Sequence, residues 1–583
     1  MSSLLILYGS ETGTAEDVAE GLWKEARLLD VPARLHGMDD YTIENLPQEV
    51  AVVFVVATTG QGEIPPNMRN NWRRLLKRSL GSTCLQNVNF AVFGLGDSSY
   101  QKYNYASKKV YRRLLQLGGK NLVNIGLADD QHELGIDGAL IPWKKEFWDA
   151  LRASGLFENM KKEVDPDSVL PPKYRLIFEE VTNGHSSSAA DSQEWHQVTV
   201  IANERVTSDS HFQDTRLVSL NIDDIPSKPG SDVKYDPGDV LMVQPRNHSE
   251  SIQIALDALK YPDELLDRPF HLEPSDELIK LPAKWLIGER PTLRLCLTQL
   301  FDLQMIPRKS FFQTLASIST DAAEKEKLLE FITPENLDHF LDYTTRMRRT
   351  TAEVLRDFPA TSANIPPERL FDLFVNIRPR AFSIASEPMM KHLEILVAKV
   401  EYKTRMADPR RGLCSTFIAR LTPGDKLFVR IRAGTLKFPR EDKQVICVGP
   451  GTGVAPFRSY LAWRNKSKEP AKSLLFFGCR GKENDFYFER EWNEMPATHV
   501  YAAFSRDTDR KIYVQHLILQ QEDEVWEILG ENDGQAFVAG SSGNMPKEVG
   551  AAIDKIAVKH GWVDGSFLSK LEASGRMQYE TWS

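Results

Sequence analysis

The sequence predicts a multidomain α/β protein, in which a doubly wound parallel sheet precedes an antiparallel β-barrel with a helical insertion and a second parallel sheet. At 583 residues the chain is longer than one hydrophobic core supports. Short apolar runs alternate with amphipathic helical stretches in the first part of the chain and again near its end. Between them, a β-like alternation is interrupted by a mainly helical stretch.

In the first domain, the apolar runs at 4–7, 51–57, 89–94 and 122–126 are typical of buried parallel strands. The first two runs enclose a segment with helical spacing of apolar residues, namely Ala15, Val18, Ala19, Leu22, Ala26 and Leu29. This strand-helix alternation predicts a doubly wound sheet.

Composition changes indicate where the domains end. We expect the first domain at 1–155 and a linker at 156–194, because DPDSVLPP and NGHSSSAADS are rich in proline and small polar residues. The turn sequence YDPGDV predicts a tight turn between barrel strands. The remaining expected boundaries are a barrel at 195–248 and 375–440, a helical insertion at 249–374, and a final domain at 441–583.

The charge and cysteine content exclude several classes of function. A formal net charge of −9 and the lack of a basic stripe argue against a nucleic-acid partner. The apolar run LLILYGS is too short for a membrane span and lacks signal-peptide flanks, so we expect a cytoplasmic protein without a membrane segment. The five cysteines never have CxxC spacing, so we expect no disulfide, no metal site and no resident iron-sulfur cluster.

The first loop, YGSETGTAED (residues 8–17), joins a predicted strand to a predicted helix. Backbone N–H groups and the helix dipole then face one point, and Ser10, Thr12 and Thr14 add hydroxyl groups. Because the loop has no Lys or Arg, it suits a terminal phosphate bound by neutral donors. A plain strand-to-helix connection is the alternative interpretation.

Further loops follow the next strands, where open α/β sheets bind ligands. They are ATTGQGE (57–63), FGLGDSSYQKYN (93–104) and GLADDQHELGID (126–137). An aromatic face there can cover an isoalloxazine ring, with surface aromatics as the alternative interpretation of the tyrosines. For the carboxylates of the last loop, a solvated acidic loop is an equally natural interpretation. The predicted FMN-binding set is Ser10, Glu11, Thr12, Gly13, Thr14, Ala15, Ala57, Thr58, Thr59, Gly60, Leu95, Gly96, Asp97, Tyr100, Tyr103, Asn104 and Asp130.

Three later motifs predict a second nucleotide region. RGLCST (411–416) has small residues that let backbone N–H groups approach phosphate oxygens, while Cys414 itself is typical of a packed small residue. VGPGTGVAPFR (448–458) follows a predicted strand and precedes a helix, which is the context of a dinucleotide phosphate loop. FSRDTDRKIYVQ (504–515) offers two cations, a serine and a phenol for a 2′-phosphate, with a solvated charge cluster as the alternative.

These motifs, together with RAFSIAS (380–386) and the tail YETWS, resemble those of the diflavin reductases over essentially the full chain. The resemblance implies a flavodoxin-like domain followed by a ferredoxin-NADP reductase-like module, with a Rossmann-like NADP domain, and with FMN, FAD and NADPH as cofactors. It assigns Arg380 to the FAD pyrophosphate, Ser383 and Glu580 to hydride transfer, and Trp582 to the face of the FAD ring.

The resemblance also completes the second set of predicted sites. The catalytic residues are Ser383, Glu580 and Trp582, and the predicted FAD- and NADP-binding residues are Arg349, Arg380, Ala381, Phe382, Ser383, Gly412, Leu413, Cys414, Ser415, Thr452, Ser505, Arg506, Lys511, Tyr513, Gln515 and Trp582. The chain departs from the family pattern at three positions. Thr59 replaces a common aromatic residue, which favours Tyr100 as the stacking residue; Phe382 replaces a tyrosine; and Ala539 stands where relatives have a cysteine.

NADPH delivers two electrons as a hydride, whereas haem and iron-sulfur acceptors take one electron at a time. The resemblance therefore implies a path from NADPH to FAD to FMN to an external acceptor, with a linker that permits movement of the FMN domain. Within the family, the chain is similar to the members that serve cytosolic iron-sulfur cluster assembly, which implies an anamorsin-like iron-sulfur partner bound by a monomer. The alternatives are a haem-protein reductase, a sulfite reductase flavoprotein subunit, and a non-catalytic scaffold.

Overall fold

The computed structural model describes residues 3–60, 62–100, 102–164, 168–179, 194–276, 279–439 and 443–582. The chain divides into two compact units, each built from two separate parts of the sequence. Unit 1 comprises Met1–Ala189 and Ser249–Arg378, and unit 2 comprises Ala190–His248 and Pro379–Ser583. Among the described residues, no helix is both long and apolar enough to cross a membrane.

The first part of unit 1 alternates strands and helices along the chain. Its elements are β1 (Leu4–Gly9), α1 (Thr14–Leu28), β2 (Ala33–Gly37), β3 (Ala51–Ala57), α2 (Arg69–Leu75), β4 (Asn89–Gly96), α3 (Tyr105–Gln116), β5 (Lys120–Asn121), β6 (Gly126–Asp129) and α4 (Asp137–Ala153). The strands are parallel in the order β2-β1-β3-β4-β5, and β6 also pairs with β4. Helices cover both faces, so the central strands are buried throughout, as the apolar runs predict.

The last strand of this sheet differs from the sequence prediction of a strand at 122–126. The chain instead forms β5 and β6, which pair with the beginning and the end of β4. The carbonyl of Asn124 accepts a hydrogen bond from the indole of Trp143 at 3.1 Å, so this residue bonds to α4 rather than to a neighbouring strand.

The middle of the chain contributes to both units. It contains β7 (Tyr174–Phe178), β8 (His196–Arg205), β9 (Thr215–Asn221), β10 (Val240–Gln244), α5 (Ser249–Leu259), α6 (Asp263–Leu266), β11 (Phe270–Pro274), α7 (Lys284–Ile287), α8 (Leu293–Gln299), α9 (Lys309–Ile318), α10 (Ala322–Ile332), α11 (Leu337–Leu341), α12 (Thr351–Asp357), α13 (Pro359–Ser362) and α14 (Leu370–Leu373). Helix starts follow the expected chemistry: Thr350 and Glu353 form a capping box at α12. The helices share one aromatic-rich core in unit 1.

The expected linker at 156–194 needs a correction, because β7 lies inside it. Strand β7 pairs antiparallel with β11, and Tyr174, Leu176 and Phe178 pack against the helical core. Alternating apolar residues in YRLIF carry this signal, which the neighbouring prolines obscured. The other linker stretches at 165–167 and 180–193 lie outside the described residues.

Unit 2 is completed by the C-terminal elements. They are β12 (Arg380–Ser383), β13 (His392–Ala398), β14 (Glu401–Tyr402), β15 (Arg410–Arg411), α15 (Leu413–Arg420), β16 (Lys426–Arg432), β17 (Val445–Val448), α16 (Ala455–Arg464), β18 (Ser473–Cys479), α17 (Lys482–Asp485), α18 (Glu489–Asn493), β19 (Thr498–Phe504), α19 (Val514–Gln520), α20 (Glu522–Trp526), β20 (Gln535–Ser541), α21 (Asn544–Lys559), α22 (Ser566–Ala573) and β21 (Met577–Trp582).

Two sheets of different kinds form this unit. Strands in the order β12-β10-β16-β8-β9-β13 pair antiparallel, and a bridge between Ile384 and Ile395 links the two ends of that order into a barrel. Strands in the order β19-β18-β17-β20-β21 pair parallel. The sequence therefore predicted the kind of both sheets correctly, an antiparallel barrel and a parallel sheet.

A buried arginine joins the barrel to the parallel sheet. Arg458 of α16 donates Nη1 to Glu394 of β13 at 2.6 Å and Nε to Glu491 of α18 at 2.7 Å. Its guanidinium also lies 4.3 Å from the ring centroid of Phe488. Because Arg458 and Glu394 are both buried, each charge depends on the other for compensation.

Replacing Arg458 with Met should lower the free energy of unfolding of unit 2 by about 3 kcal/mol, because Glu394 would remain buried without its cation. Scanning calorimetry of the purified protein measures this change. Arg490→Met, which changes an exposed arginine of α18, is the matched control and should have little effect. Equal unfolding behaviour of the two variants would contradict the structural role of the pair.

Candidate functional site

The first candidate site lies at the carboxyl edge of the parallel sheet in unit 1. Strands β1, β3, β4 and β6 all end at this edge, so their following loops meet there. Backbone hydrogen bonds fix the loops to one another: Thr58 N donates to Leu95 O, and Asp130 N donates to Gly96 O, both at 2.9 Å. The structure thus brings together the predicted FMN residues of four separate loops.

The loop after β1 has the shape of a phosphate cradle. Gly13 has a φ of 97°, and helix α1 starts directly after it without a side-chain cap. Gly13 N donates to Ser10 Oγ at 3.0 Å, and Ser10 N donates to Asn67 Oδ1 at 2.8 Å. The positive end of the helix dipole therefore faces the loop, which fits a phosphate group such as that of FMN. Asn67 was not predicted, although it follows closely after ATTGQGE.

Arg308 of the helical segment and Arg378, which follows that segment in unit 1, contact the same helix. Arg308 forms an ion pair with Asp17 at 2.6 Å and donates Nη2 to Thr14 Oγ1 at 3.2 Å. Arg378 forms an ion pair with Glu16. The loop sequence contains no cation, and these residues lie 291 and 362 positions away from their partners, so local sequence patterns could not reveal them.

The loop after β4 holds the predicted aromatic residues. Asn104 is fully buried in the left-handed conformation, and its amide donates to Ala128 O at 2.8 Å, so this side chain ties the loop to β6. The hydroxyl of Tyr103 donates to Leu127 O at 3.1 Å. Tyr100 is half-buried in a turn where its N–H donates to Asp97 O. The role of Tyr100 as the stacking residue stays a prediction.

The acidic residues of this edge have different environments. Partial burial and the nearby Asp97 carboxylate raise the pKa of Asp130. For Asp129, hydrogen bonds from Ser98 and Gln131 outweigh the effect of burial and lower the pKa. Asp129 therefore accepts hydrogen bonds from the backbone of the loops, whereas Asp130 lies near the carboxylates of Asp97 and Asp129.

The second candidate site is in the barrel of unit 2. Arg380 and Ala381 of β12 are exposed, and Phe382 and Ser383 are half-buried. Helix α15 starts after Gly412 without a side-chain cap. Ser415 Oγ accepts from Val400 N at 3.0 Å, whereas the buried Thr416 Oγ1 has no hydrogen-bond partner among the described residues. Three features fit the phosphates of a dinucleotide such as FAD: the uncapped start of α15, the buried hydroxyl of Thr416 and the exposed Arg380 of β12.

Cys414 lies in the first turn of α15 and is a packed residue. Its thiol is buried in the barrel core, and burial raises its pKa to about 12. A neutral, buried thiol is not a nucleophile, so the structure favours the packing interpretation of Cys414.

Two of the predicted catalytic residues, Ser383 and Glu580, meet within unit 2. Ser383 Oγ donates to Glu580 Oε1 at 2.6 Å, although the two residues are 197 positions apart. Ala539 pairs in register with Glu580 across β20 and β21. Trp582 ends β21 and is 38% exposed, which leaves its indole accessible. The barrel and the parallel sheet thus bring together a hydroxyl and a carboxylate, and Trp582 lies on the same strand as the carboxylate.

The dinucleotide loop follows β17 as predicted. Gly451 has a φ of 57°, Thr452 lies in the short helical turn after it, and α16 follows. A Cβ on Gly453 would overlap the carbonyl oxygen of Ala539, so glycine is needed for the close approach of this loop to β20.

The predicted 2′-phosphate residues follow the neighbouring strand β19. Ser505 N donates to Cys479 O at 2.9 Å, and Arg506, Lys511 and Tyr513 are exposed. Asp507 of the same loop instead accepts from Lys482 N at 2.9 Å, so its carboxylate caps α17.

Gln515 and Arg349, two further predicted residues, are each bonded to an acidic side chain. Gln515 donates its amide to Glu548. Arg349 lies in unit 1, where it forms an ion pair with Asp357 at 2.6 Å and its guanidinium lies 4.0 Å from the ring centroid of Tyr343. Their roles in cofactor binding stay predictions.

Comparison with known families agrees with the geometry of each site. Family models match in three ranges: flavodoxin at residues 6–143, an FAD binding domain at 188–417, and an oxidoreductase NAD-binding domain at 447–549. The FAD-binding match covers the first half of the barrel, the helical segment and the second half as far as α15, but not β16.

Relatives extend the comparison to the full chain. The NADPH-dependent diflavin oxidoreductases 1 of Xenopus laevis and Bos taurus are each 40% identical over 100% of this chain and 99% of the relative. The protein of that name from Schizosaccharomyces pombe is 36% identical over all of both chains. The chain belongs to the NADPH-dependent diflavin oxidoreductase family. It is an oxidoreductase with FMN, FAD and NADP as its cofactors.

For this diflavin oxidoreductase, Gly13→Ala should weaken FMN binding by about tenfold, because a residue with a Cβ pays about 1–2 kcal/mol in the left-handed conformation. The flavins released on denaturation measure the loss as a lower ratio of FMN to FAD. Gly21→Ala is the matched control, since a Cβ at this position of α1 meets nothing within 4 Å. Retention of FMN by both variants would contradict the phosphate cradle.

Proposed function

We propose that this diflavin oxidoreductase passes electrons from NADPH through FAD and FMN to a one-electron iron-sulfur acceptor, an anamorsin-like protein, in cytosolic iron-sulfur cluster assembly. The observation that carries the proposal is the presence of two separate flavin-type sites, one beside a nucleotide loop and one without. The site in unit 2, which has the nucleotide loop beside it, suits the entry of electrons, and the site in unit 1 suits their exit.

The side chains of unit 2 define the entrance. Arg506 and Lys511 would bind the 2′-phosphate that distinguishes NADPH from NADH, with Ser505 and Tyr513 as neutral donors. Ser383 and Glu580 form the polar pair beside the expected path of the hydride. Trp582 covers the ring face until nicotinamide replaces it.

The side chains of unit 1 define the exit. The uncapped start of α1 would hold the FMN phosphate, and Asp97 and Asp130 would keep negative charge near the ring, which disfavours a further negative charge there. When bound, flavins supply the conversion between paired and single electron transfer. The exposed acidic groups of this edge also favour an acceptor with a basic docking surface, reached in the cytoplasm by a monomeric enzyme.

Arg506→Ala and Lys511→Ala should each raise the KM for NADPH by about tenfold, because each removes a charged hydrogen bond to the 2′-phosphate. The KM for NADH and the kcat should change little, since NADH lacks that phosphate. Steady-state ferricyanide reduction measures both constants. Arg510→Ala, in the same exposed loop, is the control, and an equal effect of all three variants would show only a general charge effect.

The acceptor assignment is tested with NADPH, the purified enzyme and an anamorsin-like iron-sulfur protein under anaerobic conditions. We expect reduction of the cluster by the wild type and its loss in Gly13→Ala protein depleted of FMN, while ferricyanide reduction persists. Reduction of a haem protein in place of the cluster would favour the haem-protein or sulfite reductase alternative. No reduction of either protein by a flavin-loaded enzyme would favour a scaffold.

A further inference from the structure

The carboxylate of Glu580 is bound from two sides. Its Oε1 accepts from Ser383 Oγ at 2.6 Å, and its Oε2 accepts from Thr435 Oγ1 at 3.0 Å. Ser383 and Thr435 belong to the barrel part of unit 2, whereas Glu580 belongs to β21 of the parallel sheet. Because each oxygen receives one hydroxyl, the plane of the carboxylate is held against rotation.

The backbone around Thr435 is fixed by a contact between two glycines. A Cβ on Gly434 would overlap the carbonyl oxygen of Gly238, and a Cβ on Gly238 would lie 2.8 Å from Leu436 O. Gly238 has a φ of 90° and belongs to the tight turn before β10. The segment 434–438 therefore packs directly on this turn, which sets the position of Thr435 beside Glu580.

The same segment is also bonded to β21 near Glu580. Lys437 N donates to Gln578 Oε1 at 2.8 Å, and Gln578 Nε2 donates to Lys437 O at 3.3 Å. Alternate residues of a strand face the same side, so Gln578, Glu580 and Trp582 share one side of β21. These two hydrogen bonds between Lys437 and Gln578, together with the hydroxyl of Thr435, hold that side of β21 against the barrel.

The neighbour of Glu580 in the sheet adds no polar group to this arrangement. Ala539, its partner in register on β20, is fully buried and ends at a methyl group. Within the described ranges, the hydrogen-bond donors to the Glu580 carboxylate are therefore the hydroxyls of Ser383 and Thr435.

We propose that Thr435 is a positioning residue for hydride transfer, which acts by orienting the carboxylate of Glu580. As NADPH gives up a hydride to the flavin, two electrons and one proton leave together and the nicotinamide ring becomes positively charged. A carboxylate that is already oriented stabilises this developing charge without moving, and it forms and breaks no bond itself. The inference rests on NADPH oxidation at this site, which is part of the proposed function.

The test compares Thr435→Val, Thr435→Ser and Thr422→Val in the full-length, flavin-loaded enzyme. Thr422 is the matched control, because its hydroxyl also donates to a carboxylate of the barrel, that of Asp425 at 2.9 Å. Stopped-flow reduction by NADPH, and by NADPH deuterated at the transferred position, gives the rate of the hydride step and its isotope effect.

We expect Thr435→Val to slow the hydride step by about tenfold, the effect of losing one hydrogen bond to a charged group. The isotope effect should be at least as large as that of the wild type, FAD content and NADPH affinity should be kept, and Thr435→Ser should restore the rate. In a Glu580→Ala background, Thr435→Val should have no further effect, because the two residues act as one unit.

The outcomes separate this inference from the proposed function. A wild type that does not oxidise NADPH contradicts the proposed function. A competent wild type whose rate is unchanged by Thr435→Val, or whose Thr422→Val variant is equally slow, overturns the role of Thr435. Loss of FAD from both Thr435→Val and Thr435→Ser shows a purely structural role and overturns it as well.

Discussion

The joint between the barrel and the parallel sheet of unit 2 is the constraint on which the entrance chemistry depends. Hydride transfer needs a nucleotide held by the sheet to reach a flavin held by the barrel, so the two parts must keep a fixed relation. Arg458, buried between Glu394 and Glu491, provides a charged contact between them. Glu580 provides the second, because a carboxylate of the last strand is bonded to hydroxyls of the barrel. Both contacts join residues that are distant in sequence and complementary in charge or hydrogen bonding.

The flavin-type site of unit 1 is built in a different way. The loop after β1 has neutral side chains and a helix start without a cap, while the nearby cations come from the helical segment and the residues that follow it. Arg308 and Arg378 pair with acidic residues of α1, so the helical segment is tied to the helix that carries the phosphate cradle. The helical segment thus supports the FMN-type site in addition to separating the two halves of the barrel in sequence.

Local patterns predicted most of the fold, since each buried strand and each strand-to-loop junction is a property of a few neighbouring residues. The phosphate loop, the dinucleotide loop and the order of the sheets follow from such patterns. Contacts between distant residues did not: Arg308 and Thr435 reach their sites through the tertiary fold, and nothing near them in sequence marks them. Strand β7 was missed because prolines surround an otherwise alternating segment.

The central claim is that one chain carries two flavins and that electrons from NADPH reduce both of them. Anaerobic titration of the purified enzyme with NADPH, followed by flavin absorbance, tests it most directly. Because each flavin takes up two electrons, complete bleaching should require about two equivalents of NADPH per chain. Bleaching that stops after about one equivalent and leaves about half of the flavin absorbance, with both flavins present by extraction, would contradict electron flow between the two sites.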